Sequence, residues 1–202
     1  MTNDDSKIIP FPGQEPEGSL VLHVELVMAP YPVWRRIRVS DRATFWDLHV
    51  AIQDSMGWSH RHRHLFTADH PLDGQRIRLG IPESTTFHGR DAVMPGWHVR
   101  ILEIARLHHP PFLYTYHLGE EWQHEVSLES VEPAPAREIS PACLDGSGTC
   151  PPEGAGGPQA FSALWRDNDN TMPPEFQSDP FECEDVMFCD AGQLLRDLHD
   201  QE

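Results

Sequence analysis

The most restrictive feature of the sequence is the pattern of residues 20–67. Residues 20–28 alternate between apolar and polar side chains, as a half-buried strand does. Pro30 and Pro32 then end the strand, because proline has no backbone N–H to donate to a neighbouring strand. A second alternating run follows over residues 33–39, so the pattern predicts an antiparallel β-hairpin.

A helix is predicted directly after this hairpin, over residues 44–56. Thr44 and Asp47 have the spacing of a capping box, and Gly57 stands where a helix often ends. The apolar side chains that recur at helical spacing are Phe45, Leu48, Ile52 and Met56. A short strand over residues 62–67 completes a strand–strand–helix–strand order, which predicts a β-grasp-like start to an α+β fold.

The remainder of the chain predicts a second hairpin, an irregular loop and a C-terminal helix. Residues 112–118 and 122–131 alternate on either side of a glycine-containing turn, which is the clearest hairpin signal in the sequence. Residues 143–158 are predicted to form an irregular Gly/Pro/Cys loop. The other predicted elements are a strand at 98–106, a short helix at 160–166 and an amphipathic helix at 190–199, with residues 68–96 irregular. We therefore expect a disordered leader over residues 1–19 and a single α+β domain over residues 20–200.

Charge is distributed unevenly along the chain. Residues 1–110 carry 12 basic and 13 acidic residues and ten of the 13 histidines, whereas residues 111–202 carry 3 basic and 19 acidic residues. The formal net charge of −17 argues against bulk nucleic-acid binding. No apolar run approaches the roughly 20 residues that a membrane span needs, and the start lacks the pattern of a secretory signal. We therefore expect a cytoplasmic protein with no membrane partner.

Five segments of the sequence carry a family resemblance. They are PYPVWRRIRVS (30–40), TFWDLHVAIQDSMGW (44–58), HRHLF (62–66), YTYHLGEEWQHEV (114–126) and CLDGSGTCPPEGAGG (143–157). In this order they resemble the plasmid pRiA4b Orf3-like family, over roughly residues 20–195. The resemblance implies an α+β fold with β-grasp-like elements and no established activity. Some members carry a mobile-element or resolvase-like label, which implies an accessory role in DNA transactions as a further hypothesis.

This sequence departs from the family pattern at two carboxylates. The family's hairpin usually reads D-F-G-D before the tryptophan, and the matching residues here run from His117 to Glu120. The family's loop usually has Asp after Pro-Pro-Glu, where this chain has Gly154. Chemistry that those carboxylates carry in relatives is therefore not implied for this chain, in which Glu120 could substitute for one of them.

Histidines on the predicted strands suggest a metal site. His62 and His64 are two residues apart, so on a strand both imidazoles project to one side, and His124 lies on another predicted strand. Imidazole and thiolate are usual zinc ligands, so these histidines, joined by Cys143 and Cys150, could bind Zn or another divalent metal. In the alternative interpretations, the histidines pack among tryptophans, and the cysteines stay free or form a site with the two C-terminal cysteines.

The same histidines and nearby aromatic residues predict a binding groove. It comprises Trp34, Trp58, His62, His64, Phe66, Trp122, His124 and Glu153. Neither G-x-S-x-G nor a recombinase pattern occurs, so no catalytic residue is assigned. Our first hypothesis is a non-enzymatic binding module for an unidentified protein or small-molecule partner. The alternative is a metal-binding module or a metal-dependent enzyme.

Two of these segments also have simpler interpretations. Glu153 is expected to pin its loop by accepting backbone hydrogen bonds. The basic face formed by Trp34, Arg36 and Arg38 is expected to pair with acidic groups of this chain or of a protein partner.

Overall fold

An eight-stranded sheet organises the residues that the computed structural model describes, which are 18–82, 92–107, 109–133, 141–177 and 179–200. Its strands are β1 (Gly18–Leu26), β2 (Trp34–Ser40), β3 (His64–Asp69), β4 (Arg76–Gly80), β5 (Val93–Pro95), β6 (Phe112–Tyr116), β7 (Trp122–Pro133) and β8 (Ala142–Ser147). The strand order is β5-β4-β3-β6-β7-β1-β2-β8. Every pairing is antiparallel except that of β4 with β5. Both predicted hairpins, β1–β2 and β6–β7, are formed.

Four α-helices accompany the sheet within the described ranges. They are α1 (Phe45–Met56), α2 (Ile101–Ile104), α3 (Gly157–Asp167) and α4 (Ala191–His199). The predicted capping box begins α1, since the Asp47 N–H donates to Thr44 Oγ1 at 3.2 Å and the Thr44 N–H donates to Asp47 Oδ2 at 2.7 Å. Gly57 ends α1 with φ of 74°, in the left-handed region that favours glycine. The predicted α+β class is therefore confirmed.

The helix α1 packs across one face of the sheet and closes the hydrophobic core. Its Phe45 ring lies edge-on to Phe66 at 5.0 Å and to Phe112 at 5.5 Å between ring centroids. Leu48 and Ile52 of the same helical stripe are fully buried. Burying a side chain of this size stabilises a fold by about 1.5–3 kcal/mol, so this stripe holds α1 on the sheet.

Three regions differ from the sequence prediction. The predicted strand at 98–106 is wrong, because a 3₁₀ turn at Gly96–His98 is followed there by α2. Ile101, Ile104 and Ala105 are buried at helical rather than alternating spacing, which explains the difference. The stretch that was expected to be irregular contains β4 and β5, and β8 occupies the start of the Gly/Pro/Cys loop.

The elements at the start of the fold follow the predicted order, but β3 pairs with β4 and β6 rather than with β1. β3 lies between β4 and β6, so two strands separate it from β1. Residues 1–17 lie outside the described residues, and the predicted leader stays a prediction there. Gly18 and Ser19, also predicted as leader, are instead the first residues of β1. The single domain over residues 20–200 stays a prediction. Within the described ranges, every helix is too short or not apolar enough to cross a lipid bilayer.

Candidate functional site

A cleft of about 650 Å³ lies between the C-terminal end of α1, the loop at 149–153 and the segment at 176–187. Five carboxyl side chains line it, those of Asp54, Glu153, Asp179, Glu182 and Asp185. Its apolar lining includes Met56, Trp58, Phe176, Phe181 and Met187. Because these residues come from separate stretches of sequence, only the folded chain brings them together.

Arg35 is the one basic residue that lines the cleft among the described residues, and it is almost fully buried. Its Nε donates to the Ser55 carbonyl at 2.7 Å. Its terminal nitrogens donate to the carbonyls of Ser147 at 2.9 Å and Gly148 at 3.0 Å. The Phe181 ring covers the guanidinium, with 3.4 Å between Cζ and the ring centroid. Arg35 therefore ties the end of α1, the end of β8 and the acidic segment to β2.

Sequence reasoning missed Arg35, although the alternation along β2 carries a signal for it. Val33 and Ile37 are fully buried, and Arg35 stands between them on the same face of the strand. A buried charge without partners is costly, so an arginine on an apolar face must place its donors on acceptors. That requirement marks Arg35 as an internal anchor rather than a surface residue.

The Pro-Pro-Glu loop is fixed by hydrogen bonds from three side chains. Trp58 Nε1 donates to the Pro151 carbonyl at 2.8 Å, and Ser59 Oγ donates to Glu153 Oε2 at 2.5 Å. The Tyr116 hydroxyl donates to Glu153 Oε1. Burial raises the pKa of Glu153, but the hydrogen bonds from these hydroxyl groups outweigh it and hold the pKa below its ordinary value. Glu153 is therefore an ionised acceptor that pins the loop, although these two donors are side-chain hydroxyl groups, whereas the sequence predicts backbone donors.

Two of the predicted metal ligands, His62 and His64, lie in different surroundings. His62 precedes β3 and packs on His117, with ring centroids 3.8 Å apart. His64 is buried and stacks on His49 at 3.6 Å. In the described part of the chain, neither ring nitrogen of His64 has a hydrogen-bond partner. Burial lowers the pKa of His64 to about 3, so this imidazole is neutral at pH 7 and packs as an aromatic ring.

The third predicted histidine ligand and the cysteines lie elsewhere. His124 is in β7, edge-on to Trp58 at 5.3 Å between centroids, and burial lowers its pKa to about 3. The Cys143 sulphur lies 3.4 Å from that of Cys183, and Cys150 lines the cleft. Among the described residues, the predicted ligands do not form a group with donor atoms within 4.8 Å of one another. The geometry is therefore closer to the alternative interpretation, in which the histidines pack among aromatic rings.

The predicted groove is divided in the structure. Of its eight residues, Trp58 and Glu153 line the cleft. Phe66 and Trp122 are fully buried in the core, and Trp34 lies on the outer face of β2. Of the predicted aromatic residues, Trp58 thus lines the cleft, and the carboxylates of Asp179, Glu182 and Asp185 come to it from the C-terminal segment.

The basic face of β2 pairs within the chain. Arg36 Nε lies 2.5 Å from Glu129 Oε2, and Arg38 Nη2 lies 3.9 Å from Glu132 Oε2. Both glutamates belong to β7, which is separated from β2 by β1. The acidic half of the sequence therefore supplies partners to the arginines of the near-neutral half.

Known proteins from different organisms are similar to this chain. Over 140 residues it is 29% identical to the uncharacterized protein y4hQ of Sinorhizobium fredii, a match that covers 69% of this chain and 64% of that protein. The chain thus spans less than two thirds of the length of this curated relative. It also resembles the crystal structure of the protein of unknown function MM3350 from Methanosarcina mazei Go1, with a TM-score of 0.74 and 28% identity. That likeness covers 86% of this chain and 100% of the other.

A family model gives the same relationship. The model described as plasmid pRiA4b ORF-3-like protein matches residues 19–179. The matched region includes α1, the β6–β7 hairpin and the Pro-Pro-Glu loop. The resemblance predicted from the sequence segments is confirmed, and the chain belongs to the plasmid pRiA4b ORF-3-like family.

Proposed function

We propose that this protein is a binding module whose cleft holds a cationic segment of a partner protein. The observation that carries the proposal is the charge of the described lining, which has five carboxyl groups and one guanidinium, that of Arg35. The hydrogen bonds of Arg35 go to backbone carbonyls, so its donors are already used within the fold. A cleft with this balance of charge has a negative potential, which attracts Lys and Arg side chains.

The apolar part of the lining suits the stems of long basic side chains. Trp58 lies on the α1 side of the cleft, and Met187 lies on the side of the acidic segment. Met187 is 85% exposed, and methionine adapts its shape to varied partners. Lys and Arg bury their methylene groups on such surfaces while their charged ends reach carboxylates. A peptide that alternates basic and apolar residues therefore fits this cleft better than a small anion does.

The charges of the described surface also favour this proposal over a role in DNA transactions. Phosphate groups would meet the carboxylates of the cleft, and Arg36 and Arg38 of β2 are paired with glutamates. Nucleic-acid affinity depends on cations that neutralise phosphates, so the described surface favours a cationic peptide. A cytoplasmic location stays a prediction, as does the identity of the partner.

The test is a titration with a short fluorescein-labelled peptide of alternating Arg and Leu residues, followed by fluorescence anisotropy. Glu182→Gln combined with Asp185→Asn removes two charges from the acidic side of the cleft. Binding should weaken about five- to tenfold, since an exposed ion pair contributes up to about 1 kcal/mol. Added salt should weaken binding of the unaltered protein, because it screens exposed charges.

A matched control removes two charges from another part of the surface. Glu25→Gln combined with Glu125→Gln changes two exposed residues that face each other across β1 and β7. Affinity should stay within about twofold, because neither glutamate lines the cleft and exposed charges are screened by water and salt. Equal weakening by both double variants, or no binding of the basic peptide, would refute a cation-binding cleft.

A further inference from the structure

Asp54, His60 and Cys189 form a cluster of metal-binding side chains, with one donor atom of each lying within 4.8 Å of the others. We propose that these three residues bind one Zn²⁺ ion. This site shares Asp54 with the cleft described above. His60 and Cys189 do not line that cleft. The site also differs in every ligand from the metal site that the sequence predicts.

Three segments of the chain supply the donors, and backbone groups hold them in place. Asp54 is in the last turn of α1, His60 lies in the turn that follows, and Cys189 directly precedes the N-cap of α4. The Cys189 N–H donates to Asp54 Oδ2 at 2.8 Å, and His60 Nε2 lies 2.9 Å from Asp54 Oδ1. His60 has φ of 59°, a left-handed conformation that residues other than glycine rarely adopt. The backbone is thus shaped to bring the imidazole and the cysteine to one carboxylate.

The donor set is one carboxylate oxygen, one imidazole nitrogen and one sulphur. Zn²⁺ binds all three types at about 2.0–2.3 Å, so neighbouring donors of a tetrahedral site lie about 3.3–3.8 Å apart. In the present cluster His60 Nε2 lies 2.9 Å from Asp54 Oδ1 and all three donors lie within 4.8 Å of one another, which brackets that spacing. Ca²⁺ and Mg²⁺ prefer oxygen ligands alone, so the nitrogen and sulphur donors favour zinc. Cys189 is exposed, which leaves a fourth position open to water.

A zinc ion would also link two elements of the fold, because Asp54 belongs to α1 and Cys189 precedes α4. No side chain of α4 is buried in the described residues, so a metal link would fix this helix to α1 where apolar packing does little.

The test is a titration of the full chain with Co²⁺, a spectroscopic substitute for Zn²⁺, after treatment with a chelator. The unaltered protein should bind one equivalent and show the thiolate-to-cobalt charge-transfer absorption of a cysteine ligand, and Zn²⁺ should displace the Co²⁺. Cys189→Ser should abolish this absorption. His60→Gln should weaken binding by at least about tenfold, since even residues that only orient a metal ligand have effects of that size.

Matched controls change the same residue types outside the cluster. His70→Gln alters another histidine beside a carboxylate, with His70 Nδ1 3.2 Å from Asp73 Oδ1. Cys183→Ser removes the thiol that lies 3.4 Å from Cys143. Both variants should bind Co²⁺ as the unaltered protein does.

Three results would overturn the assignment: absorption retained in Cys189→Ser, absorption lost in Cys183→Ser, or binding unaffected by His60→Gln. The Cys189→Ser and His60→Gln variants should bind the alternating Arg and Leu peptide normally. Failure of the zinc site is therefore distinguishable from failure of the cationic cleft.

Discussion

The face of the sheet beneath α1 and the C-terminal segment at 176–200 differ in how they hold ionisable residues. In the first region His49, His64 and His124 are buried, and burial lowers the pKa of each imidazole. In the second region every described acidic residue is exposed, and no side chain of α4 is buried. The buried histidines serve packing, whereas the acidic side chains of the second region lie at the surface in contact with water. Whether an ionisable side chain is buried or exposed therefore says more about its role than the number of such residues in the sequence does.

The C-terminal segment and the loop at 149–153 are both fixed to the buried region by side-chain donors and backbone acceptors. Trp46 Nε1 donates to the Ala191 carbonyl of the C-terminal segment at 2.8 Å, and Trp58 Nε1 donates to the Pro151 carbonyl of the loop at the same distance. Arg35 makes contacts of the same kind to the end of β8. Buried side chains thus fix the position of loops that carry charged residues. Loops held by a rigid scaffold are where binding residues are often found.

Acid should destabilise the buried region, and this is the largest effect that we expect. Below a pKa of about 6.5 an imidazole of the unfolded chain binds a proton, whereas His64 and His124 stay neutral in the folded chain until about pH 3. Their contribution to the free energy of unfolding is therefore complete above pH 6.5 and is lost as the pH falls. Between pH 6.5 and pH 5 each should remove about 1.6 kcal/mol, and His49 acts in the same direction. Urea unfolding at several pH values measures the loss.

Substitution identifies the residues that cause this pH dependence. His64→Gln and His124→Gln each remove one titrating group, so the loss between pH 6.5 and pH 5 should shrink by about 1.6 kcal/mol in either variant. The double variant should shrink it by about 3 kcal/mol. If both single variants keep the full pH dependence, the buried histidines do not cause it. The contrast between the buried face of the sheet and the exposed C-terminal segment is then wrong.

Arg35 contacts both regions, and its substitution should lower the free energy of unfolding by less than acid does. Arg35→Met keeps an apolar stem and leaves the carbonyls of Ser55, Ser147 and Gly148 without their donor. Loss of a buried charged donor should lower the free energy of unfolding by about 3 kcal/mol in urea at pH 7. Arg35→Lys should lose less, because it keeps the charge but reaches fewer acceptors. A loss below about 1 kcal/mol for Arg35→Met would mean that Arg35 does not hold the two regions together.

The elements of the buried region could be predicted because their signals are local. The capping box of Thr44 and Asp47 and the helical stripe of α1 depend only on neighbours along the chain. The alternation that predicts β1 and β2 is local in the same way. β4 carries a similar signal, with Ile77 and Leu79 alternating with arginines, but the glycines and prolines around it obscure the pattern.

The cleft could not be predicted in this way, because the contacts that build it join distant residues. Arg35 and Gly148, for example, are 113 positions apart. The histidine prediction also depended on strand geometry for His62 and His64, and His62 lies before β3 begins. Spacing along the chain therefore indicates which residues share a strand, but not which loops fold back over it.

The smallest effect on stability that we expect is at the outer face of β2. There a short contact between opposite charges is exposed to solvent, unlike the contacts of the buried region. Arg36 and Glu129 are in contact at 2.5 Å, yet their side chains are 44% and 33% exposed. Water screens such a pair, and ordering two long side chains costs entropy, so a double-mutant cycle with Arg36→Ala and Glu129→Ala should give a coupling energy of about 0.5 kcal/mol. Added salt should reduce it further. A coupling above about 2 kcal/mol would group this face with the buried region. The small value is expected because the solvent around a charged contact, more than its length, sets its contribution to stability.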